Sequence, residues 1–497
     1  MSTALRYHQA TKYAPETIGN HPGLDWAEQP AAFKSYAVET PITLAQFLPH
    51  DPNPFSGEAA SAEAEAPAGA TLAGLSRLIY AAYGVTGFIP NQPQPTYLRA
   101  APSAGGLYPA ELYVVVRDLP GIEPGLYGYM PLRHALVPLW QDAQISSALA
   151  QACYGNAQVA AARCSLIVTG VFRRSSWRYQ ERAYRRVLLD TGHMLGNALL
   201  VGPQLELRIG LTAAFCDERL ATLLRLDVAS EGPLAVLPIN TPGTEERPAW
   251  AALPSGLGHD GDTLAALQRD SLLGAERPRL PALGDEAGEA LHARYGWTSG
   301  HTLLGDGLAP NPLALDVFDA ICHRRSTRAY SGAPLTSEAL ARILAATYLP
   351  EEVRLRTQPG LARELLMTFI AVTNVTDLAP GVYYLAPQGL ELRLVRSGVT
   401  NAILQFLCLG QELGGQAGAV VFHAADLAAA VKRYGDRAYR YLHLDAGILG
   451  ERLNLAALSE GLGASGIGGF FDDHITRLLD IPSEQAVVYV TTLGVPS

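Results

Sequence analysis

Cysteine is scarce and scattered. Cys153, Cys164, Cys216, Cys322 and Cys408 are odd in number and include no C-x-x-C pair. That argues against a disulfide scaffold or a zinc-finger site and suits a reducing compartment. Long apolar runs are also missing: no stretch approaches the roughly 18 residues needed to cross a bilayer. Met1 to Lys12 lacks the basic-then-apolar order of a signal peptide, so a cytoplasmic protein is expected. Positive charge is not in excess either. A net charge of -10 and a pI near 5.7 exclude a general nucleic-acid binder, which must displace counterions with a basic surface. No cluster of His, Cys, Asp and Glu has metal-ligand spacing, and no metal is expected.

What the chain does have is length and repetition. With 497 residues, 48% of them hydrophobic and 17% charged, it is too long for one core. Residues 178–185 read R-Y-Q-E-R-A-Y-R and residues 433–440 read R-Y-G-D-R-A-Y-R, a spacing of 255. The same spacing carries Asp190 onto Asp445 and Gly192 onto Gly447. It also carries Phe215, Asp217, Leu223 and Leu224 onto Phe470, Asp472, Leu478 and Leu479. Pro124-Gly125-Leu126-Tyr127 matches Pro380-Gly381-Val382-Tyr383, and residues 71–83 resemble 336–348. Blocks in one order at nearly constant spacing establish a domain-sized internal duplication rather than a solenoid.

Each copy follows one coarse plan. A helix (72–83; 337–347) precedes a strand rich in β-branched and aromatic residues (Glu111–Arg117; Met367–Thr373). A Pro-Gly turn and a second strand follow, then another strand (Ser165–Gly170; Ala419–Phe422). A long helix near 179–202 or 434–460 comes next, and a last strand closes the copy (Leu234–Ile239; Val487–Leu493). The alternation predicts helices packed on mixed sheets. The copies are placed at 1–240 and 313–497. Between them 241–312, rich in Pro and Gly and holding short helical pieces at Thr263–Arg269 and Glu286–Tyr295, reads as a connector. The Ala/Glu-rich stretch Gly57–Ala70 reads as a loop.

Three segments can carry chemistry. His323-Arg324-Arg325-Ser326-Thr327-Arg328 offers guanidinium forks and a hydroxyl suited to phosphate, although such a run also serves as a solvated patch. Pro102-Ser103-Ala104-Gly105-Gly106-Leu107-Tyr108-Pro109 combines a serine donor with two glycines that permit close approach or positive φ. It also serves as a tight loop entering a strand. Gly461 to Phe470 holds five glycines in nine residues, more than a helix C-cap requires and without the strand-to-helix context of a dinucleotide fingerprint.

Together the three segments resemble the nitroreductase superfamily, most closely its SagB-type branch. Tyr7-His8-Gln9-Ala10-Thr11-Lys12, Leu24-Asp25-Trp26 and Phe33-Lys34-Ser35-Tyr36 resemble that branch as well. The resemblance covers most of the chain outside the connector. It implies two three-layer α/β/α domains of the α+β class paired as an intrachain pseudodimer, with FMN at their interface. It implies that Arg324, Arg325, Ser326 and Arg328 hold the phosphate side. Ile467, Gly468 and Gly469 would lie along the flavin, and Pro102, Ser103, Ala104 and Gly105 of the other copy would complete the site. Tyr179 and Tyr434 are the candidate acid/base residues, each behind an arginine that cannot itself act as a base. A helix-start motif packing the interface also accounts for them.

The departures from the family pattern are complementary. Copy 1 has the loop carrying Glu58, Glu63 and Glu65 where copy 2 has R-R-S-x-R, and 207–214 has one glycine where copy 2 is glycine-rich. Copy 2 has Gln358–Glu364 where copy 1 has P-S-A-G-G. One FMN per chain is therefore expected. The implied activity is hydride removal from a peptide-like or heterocyclic intermediate. An NAD(P)H-dependent nitro- or quinone-type reductase and a non-catalytic FMN-binding partner of a biosynthetic enzyme are the alternatives. The substrate is expected to be a small molecule or peptide, and the chain to act as a monomer without nucleic acid or membrane. His193 and His443 read as satisfied core or interface histidines.

Overall fold

The computed structural model describes residues 1–19, 23–36, 40–49, 69–90, 95–240, 263–276, 313, 315–349, 365–386 and 391–497, together with the backbone of 301–303. The loop 57–68, the helical piece 286–295, the segment 358–364 and most of the connector lie outside the described residues.

The first copy contains α1 (Thr3–Ala10), β1 (Ile42–Thr43), α2 (Leu72–Tyr83), the hairpin β2 (Val85–Ile89) and β3 (Thr96–Arg99), and β4 (Ala110–Val116). It continues through β5 (Gly125–Met130), β6 (Ala135–Trp140), α3 (Ile145–Ala152), β7 (Cys164–Val171), α4 (Phe172–Tyr179) and α5 (Ala183–Val201). It ends with β8 (Arg208–Ile209), α6 (Asp217–Leu224) and β9 (Glu231–Asn240). After α7 (Leu264–Asp270) and β10 (His301–Leu303), the second copy repeats the plan with α8 (Ser337–Tyr348), β11 (Leu366–Val372), β12 (Gly381–Leu385) and β13 (Glu391–Ser397). It closes with α9 (Asn401–Leu407), β14 (Ala419–Ala425), α10 (Leu427–Tyr434), α11 (Ala438–Ser459), β15 (Gly463–Ile467), α12 (Asp472–Leu478) and β16 (Ala486–Gly494).

The duplication is visible in local chemistry. Thr71 and Thr336 each cap their helix by accepting a backbone N–H, from Gly74 and Ala339. The two seven-stranded sheets have matching orders, β1-β6-β5-β4-β7-β9-β8 and β10-β13-β12-β11-β14-β16-β15. In β4 the alternation puts Leu112, Val114 and Val116 into the main core. Tyr113 and Val115 face the other way, against Ile145 and Leu149 of α3. Helices thus cover both faces.

Two expectations are corrected. The sheets are antiparallel at every described pairing rather than mixed. The chain passes from β7 to β9 through three helices, α4, α5 and α6, and β8, not a single crossover helix, and so re-enters beside the end it left. The long helices expected near 179–202 and 434–460 are present but begin later, at Ala183 and Ala438. Gln180 (φ 49°) and Gly435 (φ 63°) take left-handed backbone, splitting α4 from α5 and α10 from α11.

The halves meet where α5 crosses α11. The repeated arginines lock this contact reciprocally. Arg182 and Arg185 each reach Asp472 at 2.8 Å, and Arg437 and Arg440 reach Asp217 at 2.5 and 3.0 Å, all of them buried. Burial disfavours the charged Asp472, but Arg182 and Arg185 overcome it and leave the carboxyl below its ordinary range.

The described part of the connector does more than join the halves. The Ala4 N–H donates to Asp436, Thr11 C=O accepts from Arg182, and the Tyr13 N–H donates to Asp472. On the other side the Leu264 N–H donates to Glu181, Ser271 C=O accepts from Arg437, and the Leu273 N–H donates to Asp217. Residues 264, 271 and 273 thus repeat the roles of 4, 11 and 13. The segment around α1 braces the arginine clamp on the second copy's Asp472, and that around α7 braces the one on the first copy's Asp217. No described helix is long and apolar enough to cross a membrane.

Candidate active site

A cavity of about 320 Å³ opens between the copies, beside the α5–α11 crossing. Copy 1 contributes Pro102, Ser103, Ala104 and Gly105 from the loop before β4, Tyr179 from α4, and Arg186, Leu189, Asp190 and His193 from α5. Copy 2 contributes Ser326 and Arg328, Gly466, Gly468 and Gly469, and Asn454 and Tyr489. Its remaining wall is Leu409 and Gln411. Segments more than 200 residues apart in the chain therefore meet as complementary walls.

The loop from copy 1 is held by Asp190. Its carboxylate accepts from the Ser103 hydroxyl at 2.6 Å and from the Ala104 N–H at 3.1 Å, while Ser103 Oγ accepts the Tyr108 N–H at 2.9 Å. Gly105 and Gly106 both take φ of 66°, a left-handed conformation that β-carbons disfavour. Burial pushes the Asp190 carboxyl up to about 6, against the pull of those two hydrogen bonds and of His193 and Arg186.

Within the glycine-rich segment 463–467 form a strand, β15, paired with β16, and Gly463, Gly466, Gly468 and Gly469 each admit a particular neighbour. A Cβ at Gly466 would collide with the Tyr489 hydroxyl, and one at Gly468 with the Arg186 guanidinium. Arg186 in turn lies 3.8 Å over the ring of Tyr179. Its Nε is buried without a hydrogen-bond partner.

The R-R-S-x-R segment divides. Ser326 and Arg328 face the cavity, whereas Arg324 and Arg325 do not line it. Arg324 is buried, donates to the Ala100 C=O at 3.2 Å and lies 3.5 Å from Glu451. Arg325 turns to the β2–β3 hairpin and donates to the Thr86 C=O at 2.7 Å. Arg324 is drawn inward by Ala100 and Glu451, whereas the alternation along an extended segment sends Arg325 to the opposite side from Ser326. Ile467 does not line the cavity for the same reason: between Gly466 and Gly468 it points into the core.

Tyr179 borders the cavity and Tyr434 does not. A Cβ at Gly105 would lie 2.7 Å from the Tyr179 hydroxyl, which makes no hydrogen bond among the described residues. Tyr434 is buried, edge-on to Tyr441 at 5.6 Å. Tyr441 stands at the repeat position of Arg186, so an aromatic contact replaces a cation at the pseudo-equivalent place.

Sequence reading passed over several cavity residues. Arg186, Asp190 and His193 recur at helical spacing on one face of α5, and that periodicity was the available signal. His193 is satisfied, as expected, with Nδ1 2.8 Å from Glu451 and Nε2 2.8 Å from Tyr489. It also touches the cavity. Burial, then the Asp190 and Glu451 carboxylates, hold the Tyr489 phenol above the ordinary tyrosine range. His443 is buried in α11, its Nδ1 2.8 Å from the Tyr439 C=O, and burial pulls it down to about 3. All five cysteines are buried and unpaired.

The family model described as Nitroreductase family matches twice, over residues 70–240 and 321–495. A crystal structure of an Anabaena variabilis protein assigned as a nitroreductase superposes over 100% of both chains, with a TM-score of 0.86 and 40% identity. A Methanocaldococcus jannaschii protein assigned as a nitroreductase is 35% identical over 169 residues, which are 34% of this chain and 80% of that one. The microcin B17-processing protein McbC of Escherichia coli is 29% identical over 152 residues, 29% of this chain and 56% of McbC. The likeness to McbC agrees with the SagB-type resemblance. Two matches, two matching sheets and one shared cavity make the chain a tandem member of the nitroreductase family of FMN-dependent oxidoreductases.

Proposed function

We propose that this chain binds one FMN in the interface cavity and removes a hydride from a peptide-like or heterocyclic intermediate. The observation that carries the reading is the cavity's composition. Ser326, Arg328 and the 466–469 glycines come from copy 2, the 102–105 loop comes from copy 1, and the repeat positions carry other residues. The copies correspond to 1–240 and 313–497, joined by 241–312.

The residues fit FMN. A cavity of about 320 Å³ lies within the range of roughly 300–1,000 Å³ of small-ligand sites. Arg186 brings a buried, unpartnered donor to it, and the missing side chain of Gly468 leaves the place its guanidinium takes. Ser326 and Arg328 would hold the phosphate side, and Gly468 and Gly469 would border the ring. FMN, when bound, supplies a two-electron acceptor. The protein orients substrate and manages the accompanying proton. Tyr179, beside the copy 1 loop, is placed to contact the substrate. Tyr434, remote from the cavity, is not proposed for that role.

The peptide class is supported by the likeness to McbC, a protein named for processing microcin B17. The test is anaerobic mixing of the flavin-loaded chain with an azoline-containing peptide. Loss of the oxidised-flavin absorbance, with one FMN released per polypeptide, is expected. Bleaching by NADPH alone would instead identify a reductase, and two FMN per chain would overturn the single-site assignment.

A further inference from the structure

Three polar side chains form a line that ends at the cavity. Glu451 on α11 is fully buried and faces Nδ1 of His193 on α5 at 2.8 Å, and Nε2 of His193 faces the Tyr489 hydroxyl on β16 at 2.8 Å. Arg324 lies 3.5 Å from the other oxygen of Glu451. An ionised Glu451 accepts only, so Nδ1 carries the imidazole proton and Nε2 is left to accept from the Tyr489 O–H. The lone pairs of the Tyr489 oxygen remain for whatever occupies the cavity, which Tyr489 and His193 both border.

The arrangement is built at a cost. Gly196 on α5 and Gly450 on α11 sit inside helices, where glycine is less favourable than alanine. A Cβ at Gly196 would lie 3.0 Å from Cβ of Glu451. One at Gly450 would lie 2.5 Å from the Tyr489 ring and 2.9 Å from His193 Cε1. At the pseudo-equivalent place every member is missing. The 255-residue repeat puts Gly196, Ile448 and Leu234 where Glu451, His193 and Tyr489 stand. The line is thus confined to the side that keeps the phosphate and glycine segments.

We propose that Tyr489, His193 and Glu451 are the proton relay of the reaction, with Tyr489 exchanging the proton with the bound substrate. The inference rests on the flavin oxidoreductase reading above. As a substrate C–H bond breaks and its electron pair passes to FMN, the oxidant, the neighbouring atom gives a proton to the Tyr489 oxygen. The O–H proton of Tyr489 moves to Nε2 of His193, and a double bond forms between the two substrate atoms. The resulting imidazolium is stabilised by Glu451, a positioning residue. Tyr179 has no comparable acceptor behind it among the described residues.

The test has two independent readouts. In the full-length protein labelled with 15N-histidine, the His193 signal, assigned by its loss in His193→Gln, should show the Nδ1-protonated tautomer at neutral pH. The Nε2-protonated tautomer overturns the relay without reference to any activity. In single-turnover reduction of bound flavin by an azoline peptide, Tyr489→Phe should slow the step about 100-fold or more, with flavin content and melting temperature retained. A change under threefold overturns the proposal. Glu451→Gln should slow the reaction and shift the assigned His193 15N signals away from the Nδ1-protonated tautomer. Unchanged tautomer signals in Glu451→Gln overturn the positioning role. If NADPH but not the peptide bleaches the wild type, the substrate assignment fails. The relay is then judged on NADPH-driven nitroarene reduction, where equal rates in Tyr489→Phe overturn it.

Discussion

Gly192 of α5 and Gly447 of α11 face each other across the junction of the two copies. A Cβ on Gly192 would stand 2.7 Å from the Gly447 Cα, and one on Gly447 2.8 Å from the Gly192 Cα. Each would also strike a backbone carbonyl, Leu444 or Leu189. Gly447→Ala must therefore push the helices apart, because backbone cannot rotate out of the way. Overpacking of this kind costs typically about 1–3 kcal/mol. Thermal melting should show a lowered transition in Gly447→Ala, and an unchanged one would show that the crossing is looser than described.

The arginine clamps differ in what lies beside them. Removing one partner of a buried ion pair costs about 3–5 kcal/mol, so Asp217→Asn and Asp472→Asn should both destabilise the fold. Phe470, next to the glycine wall, packs under Arg182 at 4.8 Å. Asp472→Asn should therefore also lower flavin content, whereas Asp217→Asn should lower stability with less effect on flavin per folded chain. Since the Asp472 carboxyl is held below its ordinary range, its contribution is present above the unfolded value of roughly 4 and lost as pH falls through the folded value. Denaturation midpoints and bound-flavin absorbance measure the two effects separately.

Asp190 behaves in the opposite sense. Its folded value of about 6 exceeds the ordinary aspartate value, so the folded state holds the proton more tightly. Stability attributable to this group falls as pH rises from about 4 through 6. Asp190→Asn should flatten that slope, gaining relative to wild type by up to about 3 kcal/mol between pH 4 and 7. Urea titrations of both proteins across that range supply the comparison. Parallel pH curves would refute the assignment.

The arginines of R-R-S-x-R are not equivalent. Loss of a charged hydrogen-bonding group costs about 1.5–3 kcal/mol, so Arg328→Ala should weaken FMN binding roughly 10- to 100-fold. Arg325→Ala should change it little, because Arg325 spends its donors on Thr86. Flavin fluorescence titration of the two variants distinguishes them. Equal losses would place Arg325 at the phosphate as well.

Much of this was legible in the chain itself. The 255-residue spacing exposed the duplication because the crossing glycines and clamp residues must be preserved on both sides of a pseudo-twofold junction. The cavity segments were legible because glycine and Pro-Ser patterns mark close approach. Other features were hidden. The equivalence of the α1 and α7 segments escapes notice because T-A-L-R-Y-H-Q-A and L-A-A-L-Q-R-D share little, and their conserved work is done by backbone N–H and C=O groups. The helix break at Gln180 is equally silent, since that residue is an uncommon choice for positive φ. Tyr489 reads as a core residue of a hydrophobic strand until the fold brings His193 beside it. The side-chain directions of Arg325 and Ile467 depend on backbone twist, which composition does not encode.

The bracing of the second copy by α1 has a consequence for synthesis. The Ala4 N–H bonds to Asp436, 432 residues further along the chain. Translation at about 5–20 residues per second leaves this contact of α1 waiting on the order of a minute for its partner. Segment α7, by contrast, follows the Glu181 and Asp217 that it braces and can dock as soon as it emerges. The brace on Asp217 thus comes from a segment made after it, and the brace on Asp436 from a segment made long before it.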